Sequence, residues 1–131
     1  MKVEIVKLDD FGRGICFVNN KVTFVPNTIP GDIVNIKIVK ENKKYNEAIL
    51  IDLVKSSSKR IDAPCPYFGI CGGCSLQTLP YDLGISYKKD KVINYFKKMG
   101  LIINPSLITN DTPYNYRNKI TLKIVNRKIG Y

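Results

Sequence analysis

Between Val3 and Val54 the chain sets short runs of apolar residues against polar ones and breaks them with turn formers. Val3 and Ile5 alternate with polar neighbours, Gly12 and Gly14 punctuate DFGRGICFV, and Asn19–Asn20 separates that run from KVTFV, which Pro26 ends. After a loop at Pro30 and Gly31, Ile36 and Ile38 alternate along a further strand. A charged turn follows near Asn42, and a last strand ends at Val54. The pattern predicts five strands in a meander. At this spacing they suggest a small closed barrel of the oligonucleotide-binding type, since closure removes exposed edges. Residues 55–60, KSSSKR, have no apolar periodicity, so a barrel domain over 1–55 and a polar linker over 56–60 are expected.

The period then changes. From Leu79 to Met99 a helix is predicted: Pro80 suits the first turn, Val92, Tyr95, Phe96 and Met99 fall on one face, and Gly100 is placed to end it. Gly84 weakens this segment by about 1 kcal/mol relative to alanine. Further on, Ile120, Leu122 and Ile124 alternate with Thr121, Lys123 and Val125 before a turn at Asn126–Arg127, so a hairpin is expected there, cut off almost as it starts. The fold class is therefore mainly β: an N-terminal barrel, a small cysteine-rich module over 61–100 with one helix, and the start of an antiparallel sheet over 101–131.

Charge adds a partner to this outline. The net charge is +10, and residues 1–34 carry four charges of each sign, which leaves 17 basic against 7 acidic residues in 35–131. The later part of the chain is thus the expected contact for a polyanion, most naturally nucleic acid. No stretch approaches the ~18 apolar residues of a membrane span, and MKVEIVKLDD lacks the features of a signal peptide. A monomeric protein of the cytoplasm, off the membrane, is expected. In that reducing compartment four cysteines point to metal or cluster chemistry rather than disulfides.

Three of the four lie in CPYFGICGGC, where Cys65, Cys71 and Cys74 are separated by five and then two residues. The surrounding glycines permit tight curvature and let amides approach sulfur, as an iron–sulfur cluster requires. Structural zinc is the competing reading, weakened by a single CxxC and no histidine, and an unliganded loop is the third. A radical S-adenosylmethionine enzyme spaces its cysteines by three and then two, which differs from this pattern. Cys16, in GICFV, reads as a small buried hydrophobe.

GRGICFV, PGDIV, SSSKRIDAPCPYFGICGGCSLQTLPYDLGISYKKDKV and YRNK, in that order, resemble the uracil-5 RNA methyltransferases, which methylate ribosomal or transfer RNA with S-adenosylmethionine. The resemblance implies a TRAM domain over 1–55, an iron–sulfur module over 61–100, and the start of a central RNA-binding domain over 101–131. It also implies that Cys65, Cys71 and Cys74 are three ligands of a 4Fe-4S cluster whose fourth ligand lies downstream. Gly84–Ile85 departs from the Gln-Leu usual in the family at that place, while Gln77, Tyr81 and Lys88 sit as expected.

In such enzymes a cysteine thiolate adds to C6 of uracil, C5 takes the methyl group, and a base removes the C5 proton. None of these steps moves a single electron, which makes the cluster a structural and RNA-positioning element. The nucleophile, base and donor site belong to a C-terminal doubly wound domain. This chain has no strand, glycine-rich turn and helix in succession, so no catalytic or S-adenosylmethionine-binding residue is assigned within it. The chain is expected to be an inactive fragment of a longer methyltransferase, acting in rRNA processing. Its phosphate contacts are expected from Lys43 and Lys44 at a barrel turn, Lys88 and Lys89 on the helix, and Arg117, Asn118, Lys119 and Lys123 near the hairpin. Tyr67, Phe68, Tyr114 and Tyr116 are candidates for base stacking, with core packing as the default. The alternative function is a free-standing TRAM-type RNA-binding module with a structural zinc site.

Overall fold

The computed structural model describes residues 1–130 and divides the chain into two compact units, 1–80 and a second that begins at Tyr81. The first is built on β1 (Lys2–Glu4), β2 (Lys7–Leu8), β3 (Gly14–Val18), β4 (Lys21–Val25), β5 (Ile33–Glu41) and β6 (Tyr45–Lys55). They form one sheet in the order β1-β5-β6-β4-β3-β2. Only the β4–β6 pair is parallel.

The two edges of this sheet belong to the same seven residues. β1 pairs with β5 and β2 with β3, and between them the Ile5 N–H donates to the Asp32 carbonyl and the Val6 N–H to the Ile15 carbonyl, each at 2.9 Å. Counted as one bent strand, residues 2–8 give the five-stranded order of an OB-type sheet, as the strand spacing suggested, while the expected meander is corrected to a Greek key because β4 pairs in parallel with β6 and not with β5. The expectation of a closed barrel is corrected: no ladder joins β1 to β2. The bend at Ile5–Val6 gives each half of the strand a different neighbour, which leaves the barrel partly open. Register shifts in the β5–β6 ladder at Ile33/Val34, Asn35/Ile36 and Ile38/Lys40 increase the local bend and twist of the sheet.

Inside lie Ile5, Cys16, Val18, Val25, Val34, Ile36 and Ala48, with Val3, Ile38 and Leu50 against them. Each of the larger side chains contributes about 1.5–3 kcal/mol on burial. Gly14 is forced by this packing, because a Cβ there would run into Thr28 Oγ1 and Ile5 Cγ2. The β3–β4 turn is Asn19–Asn20 at φ 50° and 60°, the left-handed pair of a type I′ hairpin.

Residues 55–60 are tied to the barrel. Asp32, wholly buried, accepts the Ser57 N–H at 3.0 Å and the Ile29 N–H at 2.9 Å and pairs with the Arg60 guanidinium, which also donates to the Asn27 carbonyl at 3.2 Å.

The second unit contains α1 (Tyr81–Lys98), β7 (Lys123–Val125) and β8 (Lys128–Gly130). Gly100, at φ 80°, ends the helix: the Leu101 N–H reaches the Phe96 carbonyl and the Gly100 N–H the Lys97 carbonyl, both at 3.0 Å, which is a Schellman cap. The β7–β8 turn is Asn126–Arg127, again with both φ positive. Residue 131, the end of the expected hairpin, lies outside the described residues.

Candidate nucleic-acid interface and cysteine loop

The cysteine loop is shaped by backbone bonds of its own. The Phe68 N–H donates to the Cys65 carbonyl at 3.1 Å, and the Ile70 and Cys71 N–H groups share the Tyr67 carbonyl at 3.1 and 2.9 Å. Gln77 holds the start of the loop by accepting the Cys65 N–H at 3.2 Å, and the Ile61 N–H donates to the Thr78 carbonyl at 3.1 Å. Two glycines mark where the loop and the barrel come close. A Cβ on Gly12 would stand 3.1 Å from Leu76 Cδ2, and one on Gly69 would stand 3.2 Å from Asn27 Nδ2. The cavity left between them, about 230 Å³, is bordered by Phe11, Arg13, Asn27, Ile70, Cys71 and Cys74.

Cys65 is half-buried and Cys71 and Cys74 are exposed, and the Gly73 N–H donates to Cys71 Sγ at 3.4 Å. Three thiols from one glycine-rich loop, one of them already accepting an amide, form a donor set suited to an iron–sulfur cluster. Their arrangement is looser than their chemistry: among the described residues no three His, Cys, Asp or Glu side chains are gathered closely enough to hold a metal ion. Cys16 is a separate case. It is buried in the barrel, its thiol donates to the Thr23 carbonyl at 3.7 Å, and burial pushes its pKa up. It is the small core hydrophobe that its residue type implied.

The expected phosphate contacts are distributed over both units. Lys43 and Lys44 are exposed on the β5–β6 turn, where the Asn42 N–H closes onto the Tyr45 carbonyl at 2.9 Å and Lys21 Nζ donates to the Asn42 carbonyl at 3.2 Å. In the second unit Lys88 is exposed and Lys89 half-buried on α1. Arg117, Asn118 and Lys119 are exposed in the irregular segment before β7, and Lys123 is exposed on β7. Of the candidate stacking residues, Tyr67, Tyr114 and Tyr116 are exposed, against the default of core packing, and Phe68 is half-buried. The helix face of Val92, Tyr95 and Met99 is likewise exposed, with Phe96 half-buried.

One constellation escaped the sequence reading. Asp9 Oδ1 accepts the Phe11 and Arg13 N–H groups at 2.9 and 2.8 Å, and Asp9 Oδ2 accepts Arg13 Nε and Nη2, each at 2.7 Å. The guanidinium so fixed lies 4.3 Å from the ring centroid of Phe24 and 5.5 Å from that of Phe11. DFGRG looks like turn punctuation; the available signal was an aspartate four residues before an arginine, with Phe11 between them.

The chain has relatives of known type. The TRAM domain family matches residues 1–51. A 23S rRNA (uracil(1939)-C(5))-methyltransferase of Francisella tularensis subsp. novicida is 40% identical over 94% of this chain and 28% of its own length. An RNA methyltransferase of Aquifex aeolicus is 35% identical over 100% of this chain and 32% of its own length. The crystal structure of the Pyrococcus abyssi tRNA (uracil-54, C5)-methyltransferase in complex with S-adenosyl-L-homocysteine superposes with a TM-score of 0.67 at 30% identity, covering 100% of this chain and 29% of that one. The chain thus spans less than a third of the length of these relatives. The likeness continues past the TRAM segment through the cysteine loop and helix, so the chain carries a TRAM domain and is similar along nearly its whole length to one part of these RNA methyltransferases.

Proposed function

We propose that this chain is the RNA-binding and cluster-bearing part of an S-adenosylmethionine-dependent RNA (uracil-5-)-methyltransferase, with ribosomal RNA as its target. The observation that carries the reading is the likeness over 94% of the chain to an enzyme named for 23S rRNA at 40% identity, against 30% to one named for tRNA. Relatives more than three times its length do not favour a free-standing module with a zinc site. In this division of labour residues 1–55 and 101–131 hold RNA, and the module over 61–100 presents Cys65, Cys71 and Cys74 to a 4Fe-4S cluster. The cluster is assigned a structural and RNA-positioning role rather than a redox step. Methyl transfer is assigned to the remainder of the longer protein, so these 131 residues alone transfer no methyl group. We place the protein in the cytoplasm as a monomer; among the described residues no helix is long and apolar enough to cross a membrane.

RNA binding by the chain is the decisive measurement. Affinity should fall with salt at a log–log slope of about −0.7 per contacted phosphate of a single strand. Charge reversal at Arg117 and Lys119 should weaken it more than reversal at Lys2 and Lys7. An affinity independent of salt overturns the reading. For the cofactor, iron and acid-labile sulfide should be present in anaerobically prepared longer protein, lost in Cys71→Ala or Cys74→Ala, and kept in Cys16→Ala. One zinc per chain instead supports the alternative.

A further inference from the structure

The cavity between the barrel and the cysteine loop has two unlike walls, both within the first compact unit. The loop wall carries Cys71 and Cys74, and supplies one amide to a thiol, from Gly73 to Cys71 Sγ. The barrel wall carries Arg13 and Asn27, two side chains able to donate hydrogen bonds, and the function proposed above uses neither. Arg13 is held in place: Asp9 Oδ2 accepts its Nε and Nη2, Asp9 Oδ1 accepts its backbone N–H, and the ring centroid of Phe24 lies 4.3 Å from the guanidinium. This leaves Nη1 without a partner among the described residues, on a side chain that is 33% exposed. Asn27 stands at φ 63°, and its amide nitrogen lies 3.2 Å from where a Cβ on Gly69 would be. A side chain at position 69 would push that amide away, so glycine there lets the loop approach it closely. The loop thiols are not gathered into a metal site among the described residues, whereas the barrel wall is already set.

We infer that Arg13 and Asn27 are the barrel's contribution to the cluster site, donating to an iron–sulfur group held by Cys71 and Cys74 and offsetting its negative charge. A cluster held by thiolates is anionic, and hydrogen bonds to its sulfurs, nearby charge and solvent exposure set its potential and its affinity. The loop alone offers a single amide for this purpose. Asp9 fixes the guanidinium while leaving Nη1 able to donate, and the Asn27 amide adds a second donor from the same wall. Both are positioning residues, since the thiolates are the ligands. Loading the loop is thereby linked to the folded state of the barrel, so the loaded chain should melt at a higher temperature than the unloaded one.

This inference rests on the cluster part of the reading above, and the test separates the two. The 131-residue chain is loaded anaerobically with iron and sulfide, and its iron content, its retention of iron against a chelator and its midpoint potential are measured. Arg13→Gln and Asn27→Asp should each weaken iron retention about 10- to 100-fold, and Arg13→Lys should restore part of the loss. Asn27→Asp should leave the melting temperature of the unloaded chain close to wild type, because aspartate also tolerates positive φ. Both variants make the wall more negative and should lower the midpoint potential, whereas Asp9→Asn should raise it. If wild type takes up no iron and sulfide, the cluster reading falls and this inference with it. If wild type loads and the variants match it in retention and potential, the inference fails and the cluster reading stands. If the variants lose iron only as far as they unfold without it, and Asp9→Asn moves the potential in the same direction as Arg13→Gln, the wall is packing alone and the inference fails.

Discussion

Asp32→Asn removes one charge and almost no volume, and its cost follows from what surrounds it. Both carboxylate oxygens face donors: the Ser57 N–H at Oδ1, and the Ile29 N–H and the Arg60 guanidinium at Oδ2. Whichever way an amide turns, its NH2 meets an N–H, so a buried donor loses its acceptor at a cost of ~1–3 kcal/mol. Arg60 loses its counter-charge as well. Breaking one side of a buried pair costs about 3–5 kcal/mol. Arg60 retains some access to solvent, with 15% of its side chain exposed, which selects the lower end. We expect a total loss of ~3 kcal/mol and, for a unit of this size, a melting temperature lowered by about 12–24 °C. Urea unfolding followed by circular dichroism gives the free energy, and an unchanged m-value shows that the folded state is intact. The strap over 55–60 should also loosen, so trypsin should cut after Lys59 faster than in wild type. A loss below ~1 kcal/mol, with Lys59 still protected, would refute the account, because it would mean that water already satisfies these donors.

Gly84→Ala should stabilise α1 by about 1 kcal/mol, read as increased helicity at 222 nm, since no heavy atom lies within 4 Å of the position a Cβ would take. The buried thiol of Cys16 makes stability depend on alkaline pH. Its pKa is raised in the folded state, so the unfolded chain ionises first; stability is full below the ordinary thiol range of about 8.5 and falls as pH rises from there towards the raised value. The difference in unfolding free energy between wild type and Cys16→Val should be flat near neutrality and shift against wild type above that range. Gly14→Ala should prevent the sheet from folding normally, seen as loss of a cooperative melt, because Thr28 and Ile5 occupy the space a methyl group needs.

What the sequence made legible was local. Asn19–Asn20 and Asn126–Arg127 announced their turns because asparagine tolerates positive φ, and Gly100 announced the helix end for a similar reason. The helix boundaries shifted by one or two residues, with Tyr81 replacing Leu79 as the start. The rest depended on distance along the chain. Asp32 finds Ser57 and Arg60 25 and 28 residues away, a partnership no window of periodicity contains. The inward side of β3 was hidden for another reason: GICFV is apolar at every position, so alternation does not say which of Cys16 and Phe17 is inside. The three loop cysteines were visible by spacing, whereas the placement of Cys71 and Cys74 in one cavity with Arg13 and Asn27 comes only from folding.

The bent N-terminal strand makes assembly of the barrel all-or-none. Lys7–Leu8 can pair with β3 nearby, yet the partners of Lys2–Glu4 on β5 begin at Ile33, so that half of the strand must wait unpaired while the intervening hairpin forms. Without residues 2–8 both β3 and β5 would present open edges, the kind that recruit a strand from another chain. Deleting these few residues would uncover two edges at once rather than one. The expected outcome is not a slightly weaker barrel but a protein that aggregates as it is synthesised.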